Sequence, residues 1–351
     1  MKDAMDDQPS TLRARLAGKR RTVGVPDAGQ GPGEGTPLFS DADTARVLTA
    51  PQPGLSLQAW FALHAESLNR TLHTHGALLL RGFSVAGPGE FGAIVRGLGD
   101  ALPYVYRSTP RTEVAAEIYT STEYPASEQI PLHNENAYAS SWPLRIAFHC
   151  VLAAERGGAT PIADSRRVLA ALDPAVRQRF EDRGVMYVRN FHGSVDLSWQ
   201  TAFQTERRED VESYCRAAGI GFEWRDGGRL RTRQVCPAIR IHPGNGQAVW
   251  FNQAHLFHPS ALEPSAEAAL RAAFAEDDLP RNACYGDGSP IEADALESIR
   301  EAFGSQIRRF DWVADDVLLL DNMLYAHGRD PFCGARRVHV GMVSACSGAP
   351  A

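Results

Sequence analysis

The sequence predicts a mixed α/β, mainly β fold: a jelly-roll or cupin-like barrel with helices inserted between its strands. Three observations carry this expectation. Short apolar segments bounded by turn residues recur through the second half of the chain. Segments of helical period interrupt them without the regular strand–helix alternation of a doubly wound sheet. No G-x-G-x-x-G follows a strand, and no Walker A sequence is present.

Leu55 to Thr74 spaces Trp60, Leu63, Leu68 and Leu72 at helical intervals. Gly76 to Phe83 (GALLLRGF) is an apolar run closed by Gly at both ends, which suits a buried strand. Pro88 to Gly97 returns to helix, with Pro88 near its start, where proline is tolerated. Leu144 to Ala154 is strand-like. Ser165 to Arg183 reads as one helix, with Asp164 or Ser165 as its N-cap, and Arg207 to Ala218 as another. Strands follow at Ala238 to His242, Ala248 to Asn252, Asp316 to Asp321 and Val338 to Ala345. Helices Glu263 to Ala275 and Glu292 to Phe303 lie among them.

With 351 residues, 44% of them hydrophobic, the chain can bury a large core. Residues 1–37 read as a flexible N-terminal arm and linker, basic from Arg13 to Arg21 and rich in Gly and Pro from Asp27 to Pro37. Residues 38–351 read as a single catalytic domain. A net charge of −6 with no long Lys/Arg run argues against a nucleic-acid partner. No apolar leader and no apolar span of membrane length appears, so no membrane partner and a cytoplasmic location are expected. The six cysteines are scattered without a C-x-x-C pair and are expected to be reduced thiols.

The residues with chemical promise are split along the chain. His133-Asn134-Glu135 places an imidazole and a carboxylate two positions apart, on one face if the segment is a strand. His327 follows the strong strand signal of Val317 to Asp321 and reads as a metal ligand or a satisfied core group. A distant second His can complete a facial triad on Fe(II) with open positions left over. The pair Arg336-Arg337, shortly after, offers a guanidinium fork for a dicarboxylate. Together these read as a non-haem iron oxygenase that uses 2-oxoglutarate.

Longer motifs then add a resemblance. GALLLRGF, YTSTEYP (Tyr119–Pro125), IPLHNENAYASSWP (Ile130–Pro143), GGATPIADSR (Gly157–Arg166), WFNQ (Trp250–Gln253), YGDG (Tyr285–Gly288) and LLLDNMLYAHGRDPFCGARRVHVGM (Leu318–Met342) resemble, in order, the TauD/TfdA superfamily of 2-oxoglutarate-dependent oxygenases. The chain is most similar to the clavaminate synthase-like and SyrP-like branch. The resemblance implies a double-stranded β-helix, with His133, Glu135 and His327 holding Fe(II). It implies that Thr160 and one Arg of the pair bind 2-oxoglutarate, and strand alternation lets only one of them face inward. SyrP-like chains favour Arg336 for that anchor and taurine-type enzymes favour Arg337; Arg336 is the expectation. Iron, 2-oxoglutarate and O₂ are then the cofactor and co-substrates. The activity implied is hydroxylation of an unactivated C–H bond of an amino acid or amino-acid-derived substrate in specialised metabolism. That substrate is either free or tethered to a carrier protein. Desaturation or cyclisation within the same family, and a non-catalytic cupin-like binding protein, are the alternatives. Glu135 stands where related halogenases have a small residue, which argues against halogenation.

Glu123, Asn134 and Asn136 are candidate substrate contacts, and Asn252 is a candidate either for substrate contact or for structural hydrogen bonding, with the second favoured. Arg81 is expected to be buried and paired. His255 and His258 stand at helical spacing with no third ligand nearby and read as core or loop residues.

Overall fold

The computed structural model describes residues 32–41, 43–102, 111–122, 124–193 and 195–348. The expected arm therefore lies outside the described residues up to Gly31, and so does Glu123.

A large mixed sheet dominates. Its eight strands run in the order Thr36–Pro37, Arg46–Thr49, Ala77–Arg81, Val317–Asp321, Ser141–Leu152, Arg337–Ser347, Ile118–Thr120 and Glu113–Ala115. The central strands are covered on both faces, which explains their unbroken apolar runs. Leu78, Leu80, Val317 and Leu319 point to one face, against helices Leu57–His75 and Gly87–Leu98. Their neighbours Leu79, Leu318 and Leu320 point to the other, with Ile146, Phe148 and Tyr325. This period of two commits each residue to one face.

The first helix starts where Ser56 accepts a bond from the Ala59 amide and stops at Gly76, in the left-handed region at φ 80°. A Cβ at Gly76 would come 2.9 Å from the Tyr325 ring, so a side chain is excluded on two counts. Arg81 is paired as expected, with Asp316 at 2.6 Å.

A second sheet of three strands, in the order Ile162–Asp164, Tyr325–Arg329, Ile130–His133, carries both candidate histidines. Its centre is the strand that follows Val317–Asp321 in sequence. The short link between these two strands thus ties the two sheets together.

The structure corrects the sequence reading in two places. The segment read as one helix from Ser165 to Arg183 is two, Ser165–Ala171 and Pro174–Arg183. Pro174 lacks an N–H and cannot continue the first helix, while Asp173 caps the second by accepting from the Ala175 and Val176 amides. Asp164 caps the first, as expected. The second correction is a four-stranded sheet absent from the sequence reading: Gly221–Arg225, Arg229–Cys236, Val185–Phe191, Arg281–Tyr285. Arg and Asn interrupt its apolar residues and are buried in pairs, as where Arg231 donates to Asn190 at 2.8 Å and to Asp278 at 2.8 Å. A polar residue satisfied in this way can occupy a strand that composition alone reads as surface. Among the described residues no helix is long and apolar enough to cross a membrane.

Candidate active site

His133 is the last residue of its strand and sits directly opposite His327 in the three-stranded sheet. Their rings lie 4.5 Å apart. Glu135 joins them by a different route from the one expected. The strand ends at His133, and Glu135 lies in a turn, not two places along the strand. Bonds from the Ala137 amide to Asn134 O and from the Ala139 amide to Asn136 O form that turn, with Asn136 at φ 56°. The turn returns the carboxylate to the histidines. One ligand atom from each of the three lies within 4.8 Å of the others.

The turn is stapled to the link that leads from Val317–Asp321 into the strand bearing His327. Asn322 is fully buried; its side-chain oxygen accepts from the Glu135 amide at 2.7 Å. Its side-chain nitrogen donates to Glu135 O and to Pro143 O, each at 2.9 Å. Asn134 completes the staple from the other side, donating to Asn322 O at 2.6 Å.

The electrostatics suit a metal ion. His133 Nδ1 donates to Pro131 O at 2.9 Å, which leaves Nε2 with its lone pair. Burial holds the His133 imidazole below its usual range, and burial holds that of His327 well below it, with His133 and Arg111 adding to the effect. Burial thus favours the neutral form of both rings, the form that ligates. Glu135 is only 4% exposed, and its Oε2 accepts from Arg111 Nη2 at 2.7 Å. Two neutral imidazoles and a carboxylate at this spacing are a donor set that fits Fe(II).

A recess, partly open to solvent, is lined by His133, His327, Thr160, Arg336, Arg111 and Thr122 among others. Arg336 is half-buried; its Nε donates to Gly158 O at 3.0 Å and its Nη2 reaches Thr160 Oγ1 at 3.4 Å. Trp312 Nε1 donates to the same hydroxyl at 3.0 Å and fixes it. Burial, with Arg329 nearby, pushes the Arg336 guanidinium down to about 10. Arg337 is exposed and opens the long strand of the large sheet, paired with Leu152. It does not line the recess.

The expected substrate contacts fare differently. Asn134 and Asn252 are fully buried and do not line the recess. Asn252 instead donates to Ala238 O and accepts from the Ala254 amide. Asn136 accepts from the Tyr138 hydroxyl and is likewise not part of the lining. His255 is buried and stacks on Phe303, the core role expected of it.

Three residues near the site were absent from the sequence reading. Asn322 is one. Arg329 donates to the carbonyls of Tyr124, Pro125 and Glu128 and so holds the loop before the His133 strand. Its position two beyond His327 on one strand was a readable signal. Arg111 had none, since its partner is 24 positions away.

Residues 38–343 match the family described as taurine catabolism dioxygenase TauD, TfdA family. The chain is 43% identical over 308 residues to the dapdiamide synthesis protein DdaC of Enterobacter agglomerans, covering 88% of this chain and 93% of that protein. It is 32% identical over 303 residues to a clavaminate synthase-like protein of Arabidopsis thaliana, covering 82% and 88%. Among solved structures it resembles PvcB of Pseudomonas aeruginosa with a TM-score of 0.51 at 17% identity, over 84% of each chain.

Proposed function

This chain belongs to the taurine catabolism dioxygenase TauD, TfdA family and is an Fe(II)- and 2-oxoglutarate-dependent dioxygenase, and from that premise we propose that it hydroxylates an unactivated C–H bond of an amino acid or amino-acid-derived substrate in specialised metabolism. The relative named for dapdiamide synthesis supports a biosynthetic setting. The substrate arrives either free or on a carrier protein. The large sheet and the three-stranded sheet are read as the two faces of a double-stranded β-helix.

The observation that carries the proposal is the convergence of His133, Glu135 and His327, with both histidines lining one recess together with Arg336 and Thr160. In this reading the first three hold Fe(II). When bound with 2-oxoglutarate and O₂, the metal supplies the oxidising chemistry, giving succinate, CO₂ and oxidised substrate. The protein's own residues do the placing. Arg336 presents its guanidinium to the distal carboxylate of 2-oxoglutarate, and Thr160 offers a hydroxyl oriented by Trp312. Pro131 O fixes the His133 ring through Nδ1. Ile130, Phe148, Val338 and Val340 give the recess apolar walls that limit water around the reacting bond.

Product analysis in excess chloride tests the outcome. Glu135 occupies the position a halide would need, so mass spectrometry should find one added oxygen. A chlorinated main product overturns the hydroxylase reading. Loss of two hydrogens would redirect it to desaturation or cyclisation.

A further inference from the structure

The Glu135 carboxylate has two oxygens, and the structure commits one of them. Oε2 accepts from Arg111 Nη2 at 2.7 Å, with both side chains 5% exposed. Arg111 lines the same recess as His133 and His327, and its Nη1 lies 4.0 Å from Met342 Sδ. We propose that Arg111 is a positioning residue that restricts Glu135 to a single metal-facing oxygen and thereby keeps a coordination position open for O₂. The inference rests on the ligand set proposed above.

The argument is a count of positions. A facial triad leaves three sites on a six-coordinate ion. Chelating 2-oxoglutarate takes two and O₂ needs the third. A carboxylate that swings to bind through both oxygens would close that third site. Glu has one more torsion than Asp and is the freer of the two to swing. Its backbone is held by Asn322, which fixes where the side chain begins but not how it ends. Among the described residues, the Arg111 contact is the one that addresses the carboxylate itself. A charge-assisted bond in a buried site is strong enough to decide between the two modes.

The test uses nitric oxide as a probe of the O₂ position. The full-length protein is loaded anaerobically with Fe(II) and 2-oxoglutarate, then titrated with nitric oxide and followed by electron paramagnetic resonance. Arg111→Met should keep the visible iron–2-oxoglutarate band, because the ligands and the Arg336 anchor remain. Its half-saturation with nitric oxide should rise about tenfold, the effect of losing one charge-assisted bond. Arg111→Lys, which keeps the charge but not the planar fork, should fall between. A merely structural role would move thermal stability and leave the nitrosyl titration unchanged. Superposition of the Arg111→Met and parent titrations overturns the proposal. If Arg111→Met does not fold, Arg111→Gln is judged by the same criterion. A parent that shows no visible band with iron and 2-oxoglutarate would instead strike at the ligand set.

Discussion

Arg111 and Arg336 both project into the recess, yet their partners are of different kinds. Arg111 meets a carboxylate, Glu135, at 2.7 Å. Arg336 meets only neutral oxygens, Gly158 O and Thr160 Oγ1, and among the described residues no carboxylate lies within ion-pair reach of it. A half-buried guanidinium without a counter-ion is costly unless an anion arrives to share the site. Burial shows in the lowering of Arg336 to about 10. The comparison teaches that two arginines in one recess can face opposite tasks. One acts on the protein's own carboxylate, and the other is held ready for a ligand's.

The comparison predicts that substitutions at the two ends fail separately. The largest effects belong to the metal end. His133→Ala, Glu135→Ala and His327→Ala should each abolish substrate-dependent succinate formation with far-UV circular dichroism unchanged. Full activity in any one at limiting iron would remove that residue from the site. At the other end, Arg336→Leu should raise the 2-oxoglutarate requirement about tenfold or more per bond lost, with iron affinity near the parent value. A fall in iron affinity of the same size would break the separation of the two ends.

Asn322→Ala sharpens the comparison at lower amplitude. It leaves the Glu135 amide, Glu135 O and Pro143 O without their buried partner. Each unsatisfied group costs about 1–3 kcal/mol. Denaturant unfolding should register that loss, and an iron titration should weaken while the 2-oxoglutarate requirement at saturating iron stays close to normal. The smallest effect is expected from Arg337→Leu. Its side chain is exposed and outside the recess, so the 2-oxoglutarate requirement should hardly change. A large effect there and none at Arg336 would move the anchor by one residue.

What was legible in the sequence follows the same division between local and distant. The apolar runs at Ala77–Arg81 and Val317–Asp321 announced buried strands because both faces are covered. The histidine and carboxylate types were legible, but their geometry was not. The sequence puts Glu135 on one face with His133 only if the segment is a strand, whereas a turn with positive φ at Asn136 carries it. The break at Pro174 was written in the sequence and was passed over in favour of a continuous helical period. The four-stranded sheet escaped because its buried Arg231 finds its acceptors, Asn190 and Asp278, only in three dimensions. Asn134 and Asn252 stood beside promising motifs but spend their side chains on the protein interior. Arg111 was invisible for the same reason, since nothing local marks a partner so far along the chain.

The central claim is that one recess holds both Fe(II), on His133, Glu135 and His327, and 2-oxoglutarate, on Arg336 and Thr160. Anaerobic titration of the protein with Fe(II) and 2-oxoglutarate, watched in the visible, tests it most directly. The account predicts a metal-to-ligand charge-transfer band in the parent. That band should be lost in His327→Ala and recovered in Arg336→Leu only at raised 2-oxoglutarate. A parent that binds both without the band, or a band that survives His327→Ala undiminished, would contradict it.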